Sequence, residues 1–269
     1  IPLPPLETQA RIVSILDSAF ADIERARANA EKNLKNAREL FDSYLNKVFT
    51  EGGNGWENET FDEVCVKITD GAHHSPKTLY PDREPNRFLY ITSKNIRNNY
   101  MDLSKTSYVD SDFHNSIYKS CNPEIGDVLL TKDGANTGNV TLNTVDEPFS
   151  LLSSVCLMKP DKNRIKAEFI KFYILSPVGF ENITGQMTGA AIKRIILKTI
   201  KSSIIPVPPL REQKEIISRL NQLLVQKASL EAAYKNKLKS LDELKQSLLQ
   251  KAFSGELTKE DEGIAAWVT

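Results

Sequence analysis

The chain has 269 residues, 40% of them hydrophobic and 26% charged, a composition that fits one or two folded domains and excludes disorder along the whole length. Its 35 basic residues are balanced by 35 acidic ones, so no overall charge marks a polyanion as partner. No apolar run reaches the ~18 residues of a membrane span and there is no signal-peptide pattern. Cys65, Cys121 and Cys156 are spaced for neither a disulfide framework nor a CxxC zinc site, so the expectation is a cytoplasmic protein with no membrane partner.

The chain opens on Ile1 rather than Met and is expected to be a fragment or to have lost its start. Residues 1–52 read as a proline leader and a long helix. Pro2, Pro4 and Pro5 hold an extended segment and forbid helix ahead of it. No Gly or Pro follows until Gly52, so the helix can run ~40 residues, ~60 Å at 1.5 Å per residue. Its seam is Ile12, Leu16, Ala19, Ile23, Ala26, Ala30, Asn33, Ala37, Leu40 and Tyr44. The 3.5-residue period is that of a coiled coil.

Residues 53–204 read as a mixed α/β globular domain. Phe88–Thr92, Asp127–Thr131, Asn139–Leu142 and Val155–Met158 are short β-rich runs, bounded by turn pairs such as Asp70-Gly71, Gly126-Asp127 and Asp133-Gly134. Ala167 to Leu175 reads as a helix stopped near Pro177, and Ile192 to Ile200 as a short helix or strand, the pattern not choosing between them.

Residues 205–257 repeat the opening of the chain, and 258–269 form a tail. Ile1-Pro-Leu-Pro-Pro-Leu-x-x-Gln9 returns as Ile205-Pro-Val-Pro-Pro-Leu-x-x-Gln213, an offset of 204 that holds without a gap for about 51 positions, about 18 of them identical. The second seam has Ile216, Leu220, Leu223, Leu230, Tyr234, Leu241, Leu244 and Leu248, with Lys227 and Lys237 filling the register. The first helix leads into the globular domain and the second leads out, and alanines in one seam face leucines and a tyrosine in the other. The expectation is an antiparallel two-helix coiled-coil stalk.

Catalytic signatures are missing. There is no GxxxxGK[ST] and no GxGxxG, and Asn122-Pro123-Glu124 is not the Asn-Pro-Pro-aromatic motif of DNA amino-methyltransferases. Asp127 and Asp133 flank Lys132, but the Glu-x-Lys partner of a metal nuclease is absent. Asp70, His73, His74 and His114 read as polar contacts rather than metal ligands. Neither metal nor cofactor is expected, and no enzymatic activity.

Charge is unevenly placed: residues 52–152 hold 9 basic and 15 acidic groups, residues 153–203 hold 9 and 3. If the chain binds DNA, the latter stretch is expected to face it. Three segments suit a polyanion. The first, 92–99, carries Lys94, Asn95, Arg97 and Asn98; the second, 131–138, is a glycine-bracketed loop with Lys132, Asn136 and Thr137; the third ends in Lys193 and Arg194. Asn, Lys and Arg read base edges while Ser and Thr hold phosphates. With the loop histidines His73 and His74, these are the candidate DNA contacts.

The organisation resembles the specificity (S) subunit of type I restriction-modification systems. Ile205–Gln213 is similar to the start of that family's conserved helical regions and Leu249–Leu257 to their end. Gly126-Asp-Val-Leu-Leu-Thr-Lys-Asp-Gly134 and Gly189-Ala-Ala-Ile-Lys193 look like parts of its target recognition domains. The resemblance implies a non-catalytic subunit that reads one half of a bipartite site in double-stranded DNA. It also implies docking of adenine-methyltransferase modification subunits and of restriction subunits on the helices. The chain resembles the second half of an S subunit or a natural half-length one, which raises a homodimer as an expectation. The alternative is a structural coiled-coil hinge without sequence readout, which would not require the leader to repeat.

Overall fold

The protein's computed structural model describes residues 4–185 and 194–258. Ile1, Leu3, Lys193 and Trp267 lie outside the described residues. The elements are α1 (Leu6–Glu51), β1 (Glu57–Thr60), α2 (Phe61–Val64), β2 (Cys65–Asp70), β3 (Arg87–Ile91), β4 (Ile96–Arg97), β5 (Tyr100–Met101), β6 (Ser107–Asp110), α3 (Ser111–Tyr118), β7 (Val128–Thr131), β8 (Val140–Leu142), β9 (Phe149–Leu151), β10 (Val155–Pro160), α4 (Ala167–Leu175), α5 (Pro177–Thr184), α6 (Leu197–Ser202), β11 (Ile204–Val207) and α7 (Leu210–Ser254). They divide into two compact units: one takes α1 up to Phe41 and α7 from Gln222, the other is Asp42–Asn221.

The two long helices start and stop where the sequence permits. Both are free of Gly and Pro, and each is followed by a glycine, Gly52 and Gly255, at φ of 62° and 78°, the left-handed conformation that ends a helix. The repeat is reproduced in atomic detail at the leaders. Gln9 Nε2 donates to Pro4 O at 2.8 Å and Gln213 Nε2 to Pro208 O at 2.8 Å. The backbone N–H groups of the same two glutamines donate to Pro5 O and Pro209 O, each at 3.0 Å. Each glutamine thus folds back over its own prolines and fixes the first turn.

In the helical unit α1 and α7 run antiparallel. Arg27 pairs with Asp242, Arg38 Nε donates to Glu231 Oε1 at 2.8 Å, and Lys245 Nζ to Glu24 Oε1 at 3.0 Å, so residue numbers fall on one helix as they rise on the other. Ile23, Ala30, Ala37 and Phe41 of α1 and Leu223 and Leu241 of α7 are buried. The seam departs from the predicted register in places. Asn33, Leu40, Leu230 and Leu244 are exposed. After Ala37 the buried positions step by four to Phe41, and a four-residue step leaves Leu40 about 100° off the buried stripe. Lysine stems lie over the aromatic rings: Lys227 Nζ is 4.9 Å from the Phe41 ring and Lys245 Nζ 5.1 Å from that of Phe20.

The second unit is mixed α/β. An antiparallel sheet of order β2-β10-β7-β8 faces a three-stranded sheet of order β6-β3-β9, in which β3 and β9 are parallel. Their common core contains Leu89, Ile91, Leu129, Phe149, Leu151 and Leu157. The predicted runs appear as β3, β7, β8 and β10, and Ala167–Leu175 is α4. Pro177 does more than stop α4: it opens α5, where its missing N–H costs nothing, while Ser176 Oγ accepts from Gly179 N at 3.0 Å. The undecided stretch is helical from Leu197. The second leader is an edge strand, β11, paired antiparallel with β1.

Two features position the loops. Gly71 follows β2 with no room for a Cβ, which would strike Leu151 O. That close approach lets Ala72 N donate to Leu151 O at 2.7 Å, joining the end of one sheet to the other. Helix α4 is mostly apolar and is buried from Phe169 to Ile174, Lys171 included. Phe49 meets Phe169 and Tyr173 edge-on, each at 5.3 Å. Gln213 seizes the segment before α4, accepting from Lys166 N at 2.8 Å and donating to Arg164 O at 2.9 Å. The end of the first repeat copy and the start of the second thereby hold the same helix.

Candidate nucleic-acid interface

Loops that are far apart in sequence meet beyond one end of β7. The β7–β8 loop is closed on itself: Gly138 N donates to Thr131 O and Thr131 N to Asn139 O, both at 2.8 Å, with Gly134 and Gly138 at φ of 94°. The loop after β3 is shaped by Asn95, 4% exposed, whose Oδ1 accepts from Thr92 N at 3.0 Å and whose Nδ2 donates to Asp102 O and Lys105 O. The two loops are stitched together. Asn136 Nδ2 donates to Ser93 O and Asn139 Nδ2 to Ile96 O, both at 3.2 Å, and Val140 N donates to Asn98 Oδ1 at 3.1 Å. Arg194 joins by a β-bridge to Asp133. The segments 92–99 and 131–138 and Arg194 therefore form one continuous face.

The candidates have different surroundings. Lys94 and Asn98 are exposed, and Asn136 is half-buried. Arg97 is half-exposed, its Nη1 donating to Ile96 O at 3.0 Å and its Nη2 lying 3.6 Å from Asp102. Thr137 Oγ1 donates to Gly134 O at 2.6 Å. His73, exposed, is 2.9 Å from Asp70 Oδ1, and His74 meets the Phe113 ring edge-on at 5.3 Å. Lys132 is 5% exposed, with Nζ 3.3 Å from Asp70 and 3.6 Å from Asp133. In this arrangement Asn95 and Lys132 shape the loops instead of reaching solvent, because every polar atom of the amide is spent and the ammonium is enclosed by carboxylates.

The positive excess of 153–203 is partly consumed inside the domain. Lys159 Nζ donates to Asp127 at 2.8 Å, Arg164 pairs with Glu59, Lys201 with Asp62 at 3.2 Å, and Lys171 is buried over the Phe172 ring. Local net charge thus says little about which side carries free cations. What the sequence did not disclose are the acidic partners: Asp70 and Asp133 lie far apart in the chain, and no pattern couples them.

Nucleophile and metal chemistry find little footing among the described residues. Burial pushes the thiols of Cys65 and Cys121 up to about 12. His114 is buried, stacked on Phe88 at 3.7 Å with Nδ1 3.0 Å from Ser150 Oγ, and burial lowers its pKa. Asp127 and Asp133 sit at opposite ends of β7, Asp127 paired with Lys159 and Asp133 with Lys132 and Arg194. No group of three or more His, Cys, Asp or Glu able to hold a metal occurs among the described residues. None of the described helices is long and apolar enough to cross a membrane.

The chain has recognisable relatives among known proteins. Residues 53–240 match the family described as type I restriction modification DNA specificity domain. The EcoBI specificity subunit of Escherichia coli is 25% identical and the EcoKI specificity subunit of E. coli K12 is 26% identical; each alignment covers 96% of this chain and 58% of the relative. The chain thus spans a little over half the length of those relatives. Among solved structures, a chain from work on complex assembly and conformational transition of the type I R-M system superposes with a TM-score of 0.77 at 24% identity, covering 96% of this chain and 62% of that one. The HsdS subunit from Thermoanaerobacter tengcongensis gives 0.63 at 23% identity, covering 96% and 61%. These likenesses support a recognition domain with long helices and do not favour the hinge reading. With its family match extending over more than half its length, the chain belongs to the type I restriction modification DNA specificity domain family.

Proposed function

We propose that this chain reads one half of a bipartite site in double-stranded DNA and serves as a non-catalytic specificity subunit. The observation that carries this reading is the joining of segments 92–99 and 131–138 and Arg194 into one hydrogen-bonded face that presents Lys94, Arg97, Asn98, Asn136 and Arg194. Rigid loops bearing forked and amide side chains suit base edges, and Thr137 closes its loop by donating to Gly134 O. His73 and His74 flank the same face through Asp70 and Phe113, and Lys193 precedes Arg194 in sequence. Adenine-methyltransferase modification subunits dock on the helices and bring the chemistry, and restriction subunits add cleavage. The setting is the cytoplasm, and the chain needs no cofactor of its own. Sequencing methylated bases in cells that express the chain with a modification subunit tests the reading: a bipartite adenine-methylated motif supports it, and no motif refutes it.

The homodimer is part of this proposal. Leu6 and Phe253 of the helical unit are 82% and 71% exposed, apolar surface that a second copy would cover. Sedimentation of the 30.2 kDa chain at high micromolar concentration decides it, a species of twice that mass supporting the dimer and a monomer alone opposing it.

A further inference from the structure

A line of four charged groups, with a histidine at its end, crosses the loop face. His73 Nε2 lies 2.9 Å from Asp70 Oδ1, Asp70 Oδ2 is 3.3 Å from Lys132 Nζ, Lys132 is 3.6 Å from Asp133 Oδ2, and Arg194 Nε donates to Asp133 Oδ1 at 2.9 Å. The three middle members are largely buried, with side chains 11%, 7% and 15% exposed, while Arg194 is 60% exposed. Burying a lysine between two carboxylates is a poor way to gain stability, so the line is better understood by what it holds. It holds Arg194. The backbone is fastened by the Asp133–Arg194 bridge, in which Ile195 N donates to Lys132 O at 2.9 Å. The side chain is fastened through Nε alone, which leaves the planar Nη1 and Nη2 pair without a hydrogen bond among the described residues.

We propose that Arg194 is a guanine-reading fork and that Asp133, itself fixed by Lys132 and Asp70, is the residue that positions it; this rests on the DNA-reading function proposed above. The two terminal nitrogens match the O6 and N7 acceptors of guanine in the major groove. A phosphate offers the same spacing but responds mainly to net charge, and the Asp133 carboxylate beside Arg194 offsets its charge. A base edge responds to the direction of the donors, which the Nε clamp supplies, and a pre-set guanidinium gives up less rotamer freedom on binding. Lys132, singled out as a contact by its sequence neighbourhood, then acts at one remove.

The test uses the full chain co-expressed with a modification subunit, a randomised duplex pool, and sequencing of the bound fraction. Wild type should select one guanine whose replacement by 7-deazaguanine, which lacks the N7 acceptor, weakens binding about tenfold or more. Arg194→Lys keeps the charge on an exposed side chain, and should relax that position alone and become indifferent to 7-deazaguanine. Asp133→Ala should relax the same position, and Asp133→Asn, which restores an acceptor for Nε, should recover part of the selectivity. A selected motif that survives Arg194→Lys unchanged at every position overturns the fork. Uniform weakening of all sequences by Arg194→Ala overturns it in favour of phosphate. Failure of the wild type to select any motif refutes the DNA-reading function itself. If Asp133→Ala does not fold, solvent exchange at the Arg194 Nε–H decides the positioning role: protection in the wild type that is kept in Asp133→Asn supports it, and an unprotected Nε–H in the wild type overturns it.

Discussion

The two repeat copies carry the same leader and the same end, yet they are satisfied differently. Gln213 and Gln9 each fold back on their own prolines with the same 2.8 Å bond. Gln213 is 0% exposed and spends its remaining capacity on Arg164 and Lys166. Gln9 is half-buried, and among the described residues its side chain bonds only to Pro4. Phe49 is buried against Phe169 and Tyr173, whereas Phe253, its equivalent, lies exposed. The repeated residues dictate the local turn; burial is conferred by α4, to which only one end of each copy is fastened. The motif is therefore a clasp for an α4-like helix, closed at Phe49 and Gln213 and open at Phe253 and Gln9.

That contrast can be broken by mutation. Removing the Phe49 ring from its aromatic pocket should lower stability by about 3–5 kcal/mol, whereas Phe253→Ala should change it by no more than about 0.5 kcal/mol. Urea midpoints for the two variants are the measurement, and equal losses would show that the ends are equally held. Next in size, Gln213→Ala strands Lys166 N, Arg164 O and Pro208 O, a loss of about 2–3 kcal/mol. Gln9→Ala should cost only a few tenths by the same measurement, since its position is open to water.

A further small effect lies in the ion pairs that tie the copies to each other. The hydrogen bond from Arg38 holds the Glu231 carboxyl below its ordinary value. A depressed folded-state pKa gives stability that is present above the unfolded value and lost as pH falls through the folded one. The pair should therefore contribute up to about 1 kcal/mol at neutral pH, reduced by solvent screening. Its loss should begin as the solution is acidified below the usual carboxylate range. Thermal melts across that range should show a shallower acid slope in Arg38→Ala, and identical slopes would remove the pair from the account.

Much of this was readable in advance where the information is local. Gly52 and Gly255, the proline leaders and the long runs between them marked both helices, and Ala167–Leu175 emerged at its predicted bounds. The strands β1, β2, β6, β9 and β11 were not read, because each takes its identity from a partner far away: β11 exists through β1, and β9 through its parallel pairing with β3. How far each candidate side chain reaches solvent was not legible. Residue type selected Lys94, Arg97, Asn136 and Arg194, which the fold leaves at least partly exposed, and equally Asn95 and Lys132, which it buries. Composition cannot separate a side chain that faces a partner from one that builds the platform beneath it. The separation lies in the fold, here in the carboxylates of Asp70 and Asp133.

The interhelical ion pairs hold a further consequence. Shifted by the repeat offset of 204, Arg27 becomes Glu231 and Arg38 becomes Asp242, so the Arg27–Asp242 and Arg38–Glu231 pairs are one bridge seen twice with its charges exchanged. Two copies of α1 laid antiparallel in that register would set Arg27 against Arg38, and two copies of α7 would set Glu231 against Asp242. Opposite charges meet only when unlike helices pair, and like charges brought face to face oppose the alternative. Two stretches of sequence similar enough to be recognised as duplicates have thus become complementary rather than interchangeable. Wherever several such chains are made together, that exchange of sign discourages each helix from seeking its own kind.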